Sequence, residues 1–263
     1  MKTGISTACF YPFQTDRALL SSLKLPVECC EVFINSPGEF SSEYGDLLRC
    51  VSDEYNIPII SVHPFTSAFE PMYFFSEYMR RFTEYLDVYK RYFEFTKNIG
   101  ADFFILHGAM RGVKIPKEEI FERVGVLSLA AKSEGIQLLQ ENVMRCVSAE
   151  KEYISDMSRY LGDNIAFVLD VKQAALAGYS PAEMFDAMDG KVRHIHISDH
   201  NDTNKCMLIG HGSCDFKSFF QKLKRENYGG AAVLELYNHC YETEEQLAQS
   251  ICTLKSLRDE YFK

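Results

Sequence analysis

The chain of 263 residues is 46% hydrophobic and 25% charged, the balance of a globular protein with enough apolar material for one sizeable core. A formal net charge of −9 argues against a polyanionic partner, so nucleic acid is not expected. No apolar run reaches the roughly 18–20 residues that cross a bilayer, so no membrane span is expected.

The start, Met1-Lys2-Thr3-Gly4-Ile5-Ser6, enters a strand pattern directly, without the apolar stretch of a secretory signal, and a cytoplasmic location is expected. From there strand-like and helix-like segments alternate eight times. Short strands rich in Ile, Val, Leu and Phe are expected at 3–8, 27–34, 58–63, 102–107, 136–142, 165–170, 192–198 and 231–236. Such near-continuous apolar runs suit strands buried on both faces. Helical patterns fall at 16–23, 40–55, 76–99, 116–134, 148–161, from Ser180 onward, 215–227 and 243–261. Pro116 opens one of them and Gly135 follows its end, while Ser180-Pro181-Ala182-Glu183 has the form of a capping box. The nine cysteines are odd in number and lack a C-x-x-C pair, so they are expected as small buried hydrophobes.

Eight β→α units over this length fit a single α/β domain, 1–263, folded as a (β/α)8 TIM barrel with its active site at the carboxyl ends of the strands. A doubly wound sheet is the rival, but it normally has fewer strands, and its Gly-rich phosphate turn is absent.

Six strands carry a strong ligand type at or near the carboxyl end: His63, His107, Glu141, Asp170, His196 and Glu235. On a barrel these ends converge on one axis, so the six would line one pocket. Three carboxylates gathered there would repel one another and hold protons unless a cation neutralised them. Glu141, Asp170, His196 and Glu235 offer three carboxylates and one imidazole, a set suited to one divalent ion of Mn²⁺, Mg²⁺ or Co²⁺, with Zn²⁺ as a further candidate. His63 and His107 are open to two roles, a second metal bridged by Glu141 or contact with substrate hydroxyls. In His194-Ile195-His196-Ile197-Ser198-Asp199, alternation puts both histidines on one face. His194 lies one layer deeper, as a barrel-interior residue, and Asp199 falls where it shapes the following loop.

Glu141-Asn142, Leu169-Asp170, His194–Asp199, Gly210-His211-Gly212-Ser213-Cys214-Asp215-Phe216 and Leu234-Glu235-Leu236 together resemble the xylose-isomerase-like barrels of the sugar phosphate isomerase/epimerase family, relatives of the apurinic-site endonucleases. The resemblance covers nearly the whole chain. It implies a metal set of Glu141, Asp170, His196 and Glu235, with Glu141 and Glu235 as the acid/base pair. The reaction implied is isomerisation or epimerisation of a ketose, sugar phosphate or related hydroxy-ketone: one glutamate takes a proton beside a carbonyl and the other returns one. The endonuclease branch would match His63 and His107, but Gln173 and Asn204-Lys205-Cys206 depart from its third-metal pattern. A metal-dependent phosphodiesterase is therefore the alternative, and a non-catalytic sugar-binding protein a third reading.

Asn142, Arg145, Lys172 and His211 fall in expected top-face loops, within reach of hydroxyls or a phosphate, with His211 foremost because two glycines flank it. Glu28 is either a pocket acid or a salt-bridge partner. The aromatic stretch Phe65, Phe69, Tyr73, Phe74 and Phe75 would form a lid or pack its loop on the barrel. Tyr78, Phe82, Tyr85 and Tyr89 recur at helical spacing, as core or as the surface of a homo-oligomer.

Overall fold

The computed structural model describes residues 1–262. Strands with apolar residues on both faces need cover on both, and here the inner faces cover one another by closing into a barrel. The strands are β1 Lys2–Ser6, β2 Cys29–Ile34, β3 Ile59–Pro64, β4 Phe103–Leu106, β5 Gln137–Glu141, β6 Ala166–Asp170, β7 Val192–Ile197 and β8 Ala231–Leu234. They pair in parallel in chain order, and β1 closes on β8 with Gly4 level with Val233. On its other side Gly4 allows close packing against β2, because a Cβ there would lie 2.5 Å from the carbonyl oxygen of Cys29.

The helices are α1 Thr15–Leu23, α2 Ser42–Tyr55, α3 Glu70–Phe74, α4 Met79–Asn98, α5 Lys117–Ser133, α6 Lys151–Leu161, α7 Val171–Leu176, α8 Pro181–Ala187, α9 Phe216–Arg225 and α10 Glu244–Tyr261. Alternation sorts the strand residues into two sets. Val62, Phe104, Leu138, Phe167, Leu169, Ile195 and Leu234 join the main core. Ile105, Leu139, Ala166 and Val168 form one apolar cluster apart from it, and Cys29, Ala231 and Val233 form another. One pleat further along the same strands, the side chains become His107, Glu141, Asp170 and Glu235. On these strands apolar residues thus lie beneath a polar upper layer.

The strands and principal helices fall where the pattern placed them, with ends moved by a few residues. The capping box at Ser180 forms, with Ser180 Oγ accepting from Glu183 N. One local feature was not expected, and another takes the second of two alternatives. Helix α7 follows β6 without a gap, because the Asp170 side chain caps it by accepting from Gln173 N at 2.8 Å. The aromatic stretch after β3 is a 3-10 turn, Phe65–Ala68, followed by α3. Phe74 and Phe75 are buried and Tyr73 stacks on Tyr85, so most of this stretch packs down rather than forming a free lid. Among the described residues no helix is long and apolar enough to cross a membrane.

Candidate functional site

At the carboxyl ends of the strands a cavity of about 430 Å³ opens, lined among others by His63, His107, Glu141, Lys172 and Glu235. Its upper wall is aromatic, with Tyr11, Phe33, Phe65 and Tyr237. Phe33 stacks on His63 at 4.7 Å between ring centres.

The four residues expected to share one ion do converge. His196 Nδ1 lies 3.5 Å from Glu141 Oε1, 3.7 Å from Glu235 Oε2 and 4.0 Å from Asp170 Oδ2. Both His196 Nδ1 and Asp170 Oδ2 are buried without a hydrogen-bond partner. Separations of this size are the edges of a coordination polyhedron with ligand distances near 2.1 Å, about those of Zn²⁺ or Mg²⁺. The donor set therefore fits a divalent ion, and these residues could hold one.

The electrostatics point the same way. Burial pushes the Asp170 carboxyl up to about 7; the neighbouring Glu235 and Glu141 carboxylates add to this and Lys172 opposes it. Burial also raises Glu141, but His107, His196 and His63 outweigh it and hold that carboxyl well below the usual range. Glu235 likewise ends below its ordinary value, because Lys172 and His196 outweigh its burial. At His196 burial disfavours the cation, yet Glu31, Glu235 and Glu141 raise its pKa well above that of a free imidazole. The protein thus stabilises positive charge at this point.

Glu31, in the middle of β2, was not singled out from the sequence. Its fully buried Oε2 meets His194 Nε2 and His196 Nε2, each at 3.0 Å, and accepts from Ser61 Oγ at 2.9 Å. The two imidazoles more than offset its burial and keep it ionised. An ionised carboxylate only accepts, so both histidines carry a proton on Nε2, and a bound cation would take the His196 Nδ1 lone pair in place of the proton that the raised pKa favours there. His194 takes the interior role expected of it. A signal was present: Glu31 is the one charged residue in the apolar run Cys29–Ile34.

His63 and His107 also meet. Their Nε2 atoms are 2.9 Å apart, and Glu141 Oε2 lies 3.0 Å from His107 Nε2 and 3.8 Å from His63 Nε2. Glu141 therefore divides its oxygens, Oε1 toward His196 and Oε2 toward the histidine pair.

The four loop candidates separate. Arg145 lines the cavity, with Nη2 3.0 Å from His107 Nδ1. Lys172 is not in a loop but on the first turn of α7, buried, its Nζ 2.9 Å from Glu235 Oε2 and 3.5 Å from Asp170 Oδ2. Asn142 is fully buried, and its amide clamps the Asp170 backbone in both directions, donating to Asp170 O and accepting from Asp170 N. Engaged at both ends and absent from the cavity wall, it supports Asp170 and does not meet a substrate.

His211 is exposed and absent from the cavity wall. The flanking Gly210 and Gly212 instead donate their N–H groups to Asp199 Oδ2, while His200 N and Cys214 N donate to Oδ1. Asp199 thus shapes the loop as expected. A Cβ at Gly212 would fall 2.4 Å from Asp199 Oδ1, so the glycines serve the backbone and not a ligand. Glu28 is a salt-bridge partner, 2.6 Å from Arg258 Nη1. Gln173 accepts from Met144 N.

A second unforeseen carboxylate, Glu70 on α3, is fully buried and accepts from His107 N, Gly108 N and Tyr89 OH. Burial pushes it up to about 8 against those donors. Gly108, at φ +86°, fits only as glycine, since a Cβ would sit 2.8 Å from Gln140 Oε1.

A family model described as "Xylose isomerase-like TIM barrel" matches residues 24–257. The chain belongs to that family. Among solved structures, this family barrel superposes on a D-tagatose 3-epimerase-like protein with a TM-score of 0.80 at 19% identity, covering 99% of this chain and 98% of that one. It superposes equally fully, 100% of both chains, on a D-psicose 3-epimerase from Clostridium cellulolyticum H10, with a TM-score of 0.81 at 15% identity. An uncharacterized protein of Mycobacterium leprae (strain TN) is 22% identical over 280 aligned residues, 95% of each chain.

Proposed function

We propose that this xylose isomerase-like barrel is a divalent-metal-dependent epimerase or isomerase of a ketose, sugar phosphate or related hydroxy-ketone. The observation that carries the reading is the ring of Glu141 Oε1, Asp170 Oδ2 and Glu235 Oε2 around the unpartnered His196 Nδ1, at the floor of a cavity sized for a small carbohydrate. The likeness to structures described as D-tagatose and D-psicose 3-epimerases supports the same substrate class.

Glu141, Asp170, His196 and Glu235 would hold the ion. When bound, it supplies polarisation of the substrate carbonyl and so acidifies the neighbouring C–H. The chain's own residues do the rest. Glu141 ends β5 and Glu235 follows β8, three strands further round the barrel, with ligand oxygens within 4.8 Å of each other. Both are held as carboxylates, by the histidines around Glu141 and by Lys172 at Glu235. Either is ready to accept a proton at its free oxygen, and once protonated to return it from its own side. Lys172, pinned between Glu235 and Asp170, offers the one buried ammonium at the cavity wall among the described residues, placed to donate to a substrate oxygen. The aromatic upper wall, Phe33, Phe65 and Tyr237, presents ring faces to the C–H face of a sugar.

The test is a panel of ketoses and ketose phosphates incubated with Mn²⁺ in D₂O, with the protein then removed and the sugars read by proton NMR. Deuterium entering one carbon beside the carbonyl identifies both reaction and substrate. Glu141→Gln and Glu235→Gln should each lower incorporation at least about a hundredfold, the low end of a general acid/base contribution. Full exchange in both variants would sink the assignment. The alternative, hydrolysis of a phosphodiester by a two-metal centre, draws on the His63–His107–Glu141 group, and hydrolysis of an abasic-site duplex would support it.

A further inference from the structure

Two histidines in this site are held from behind by partners of opposite kind. Glu31 is an acceptor. It keeps the His196 proton on Nε2 and leaves Nδ1 free to face the ligand group. Arg145 is a donor only, since a guanidinium has N–H groups and no acceptor. Its Nη2 stands 3.0 Å from His107 Nδ1, so that ring atom must present its lone pair outward, toward the arginine. An imidazolium in that place would set N–H against N–H and cation against cation. The His107 ring is therefore neutral with its single proton on Nε2, the atom facing Glu141 Oε2 at 3.0 Å and His63 Nε2 at 2.9 Å.

We propose that Arg145 closes the His63–His107–Glu141 group to metal and keeps His107 as a hydrogen-bond donor to His63, so that the protein holds one divalent ion per chain. The inference rests on the four-ligand centre proposed above. An ion at His107 Nε2 needs the lone pair that the proton occupies. Moving the proton to Nδ1 would then require an acceptor behind the ring. Metal-bound histidines meet such an acceptor, a carboxylate, a carbonyl or a water; here they meet a guanidinium.

Charge balance points the same way. With Glu31, Glu141, Asp170 and Glu235 ionised, the pocket carries four negative charges. One dication, the buried Lys172 and the exposed Arg145 together supply four positive ones, and a second dication would leave an excess of two at the site. Glu141 then serves one ion through Oε1, while its Oε2, 3.0 Å from His107 Nε2 but without a hydrogen-bond partner, stays open to a proton. This is a one-ion proton-transfer site and not a bridged pair built to activate water.

Zn²⁺ is a suitable probe, because it accepts imidazole readily. Metal-stripped wild type is titrated with Zn²⁺ by calorimetry, and the dialysed protein is assayed for zinc by mass spectrometry. One ion per chain is expected. Arg145→Glu places an acceptor behind His107 and should admit a second ion, with its affinity raised on the order of 10–100-fold, and adding His107→Gln should abolish it again. Arg145→Lys, still a donor, should stay at one ion.

Two tight ions in wild type, one of them lost in His107→Gln, would overturn the inference while leaving the four-ligand centre standing. No tight ion in wild type would overturn that centre and the inference with it. A folded Arg145→Glu protein that still takes one ion would show that Arg145 is not what closes the group. Nitrogen-detected NMR of histidine-labelled wild type loaded with one Zn²⁺ gives a check independent of the Arg145 variants. His107, assigned by its loss in His107→Gln, must show the Nε2–H form, and the Nδ1–H form would refute the proposal.

Discussion

Single side chains in this site act by what they leave free on a neighbour. Glu31 never reaches the cavity wall, yet through His196 it decides which ring nitrogen faces Glu141, Asp170 and Glu235. Glu31→Gln replaces an acceptor-only group by one that can also present N–H to both rings. We expect metal affinity to fall on the order of 10–100-fold, and an unchanged calorimetric titration would refute this role. Lys172 is the complementary case. Its ammonium stands against the same oxygens, Glu235 Oε2 and Asp170 Oδ2, that turn toward His196 Nδ1. Lys172→Met leaves these buried carboxylates uncompensated, which should cost about 3–5 kcal/mol in urea unfolding of the metal-free protein. Added Mn²⁺ should return more stability to Lys172→Met than to wild type. Equal unfolding midpoints without metal would argue that Lys172 carries no such burden.

At the level of elements, the strand ends deliver the site and the segments after them hold it in shape. Helix α3 is fastened by Glu70, whose Oε2 takes both N–H groups that follow β4. Glu70→Ala would leave two buried donors without partners, at about 1–3 kcal/mol each, so unfolding should be easier by roughly 2–6 kcal/mol. Limited proteolysis should then cut within 65–79 where wild type resists, and an unchanged cleavage pattern would mean that aromatic packing alone holds the segment. These elements also mark how far the sequence could be read. Period-two alternation exposes a residue at a strand end, so His63, His107, Glu141, Asp170, His196 and Glu235 were visible before any coordinates. Glu31 was not, because it lies a pleat below the level of His63: it pairs with Ser61, while Phe33 pairs with His63. Helix α7 is not legible in the pattern because it is six residues long and starts directly after the strand's last residue, Asp170, which is both cap and candidate ligand. Asn142 and His211 were misplaced for another reason. Whether an amide or a loop histidine meets ligand or backbone is set by tertiary approach, here by the Asp170 backbone and the Asp199 carboxylate, which local pattern does not encode.

Over the whole barrel, chemistry and closure occupy opposite ends. The polar layer lies at the carboxyl ends of the strands, whereas Glu28 precedes β2 at the other end. There it accepts from Thr3 N at 2.8 Å and pairs with Arg258 of α10, tying the last helix to the first strand where β1 closes on β8. Burial raises the Glu28 carboxyl, but the Thr3 N–H and the Arg258 guanidinium outweigh it, and the net shift is downward. A carboxyl whose folded value is depressed adds stability that is fully present above its ordinary, unfolded value and disappears as pH falls through the lower, folded one. Glu28→Gln should therefore melt below wild type at pH 7, and the gap should narrow as pH falls below the ordinary carboxylate value and close at stronger acid. The group is partly exposed, so added salt should also shrink the gap. Metal affinity and deuterium exchange at pH 7 should be unaffected, because this pair lies on the face where barrel residues serve stability and not catalysis. Thermal melts of the two proteins across pH 3–7, read beside one metal titration, test both halves. A gap that persists undiminished in acid would remove the ion pair from the account of closure, and an altered metal affinity would show that the two ends of the barrel are coupled.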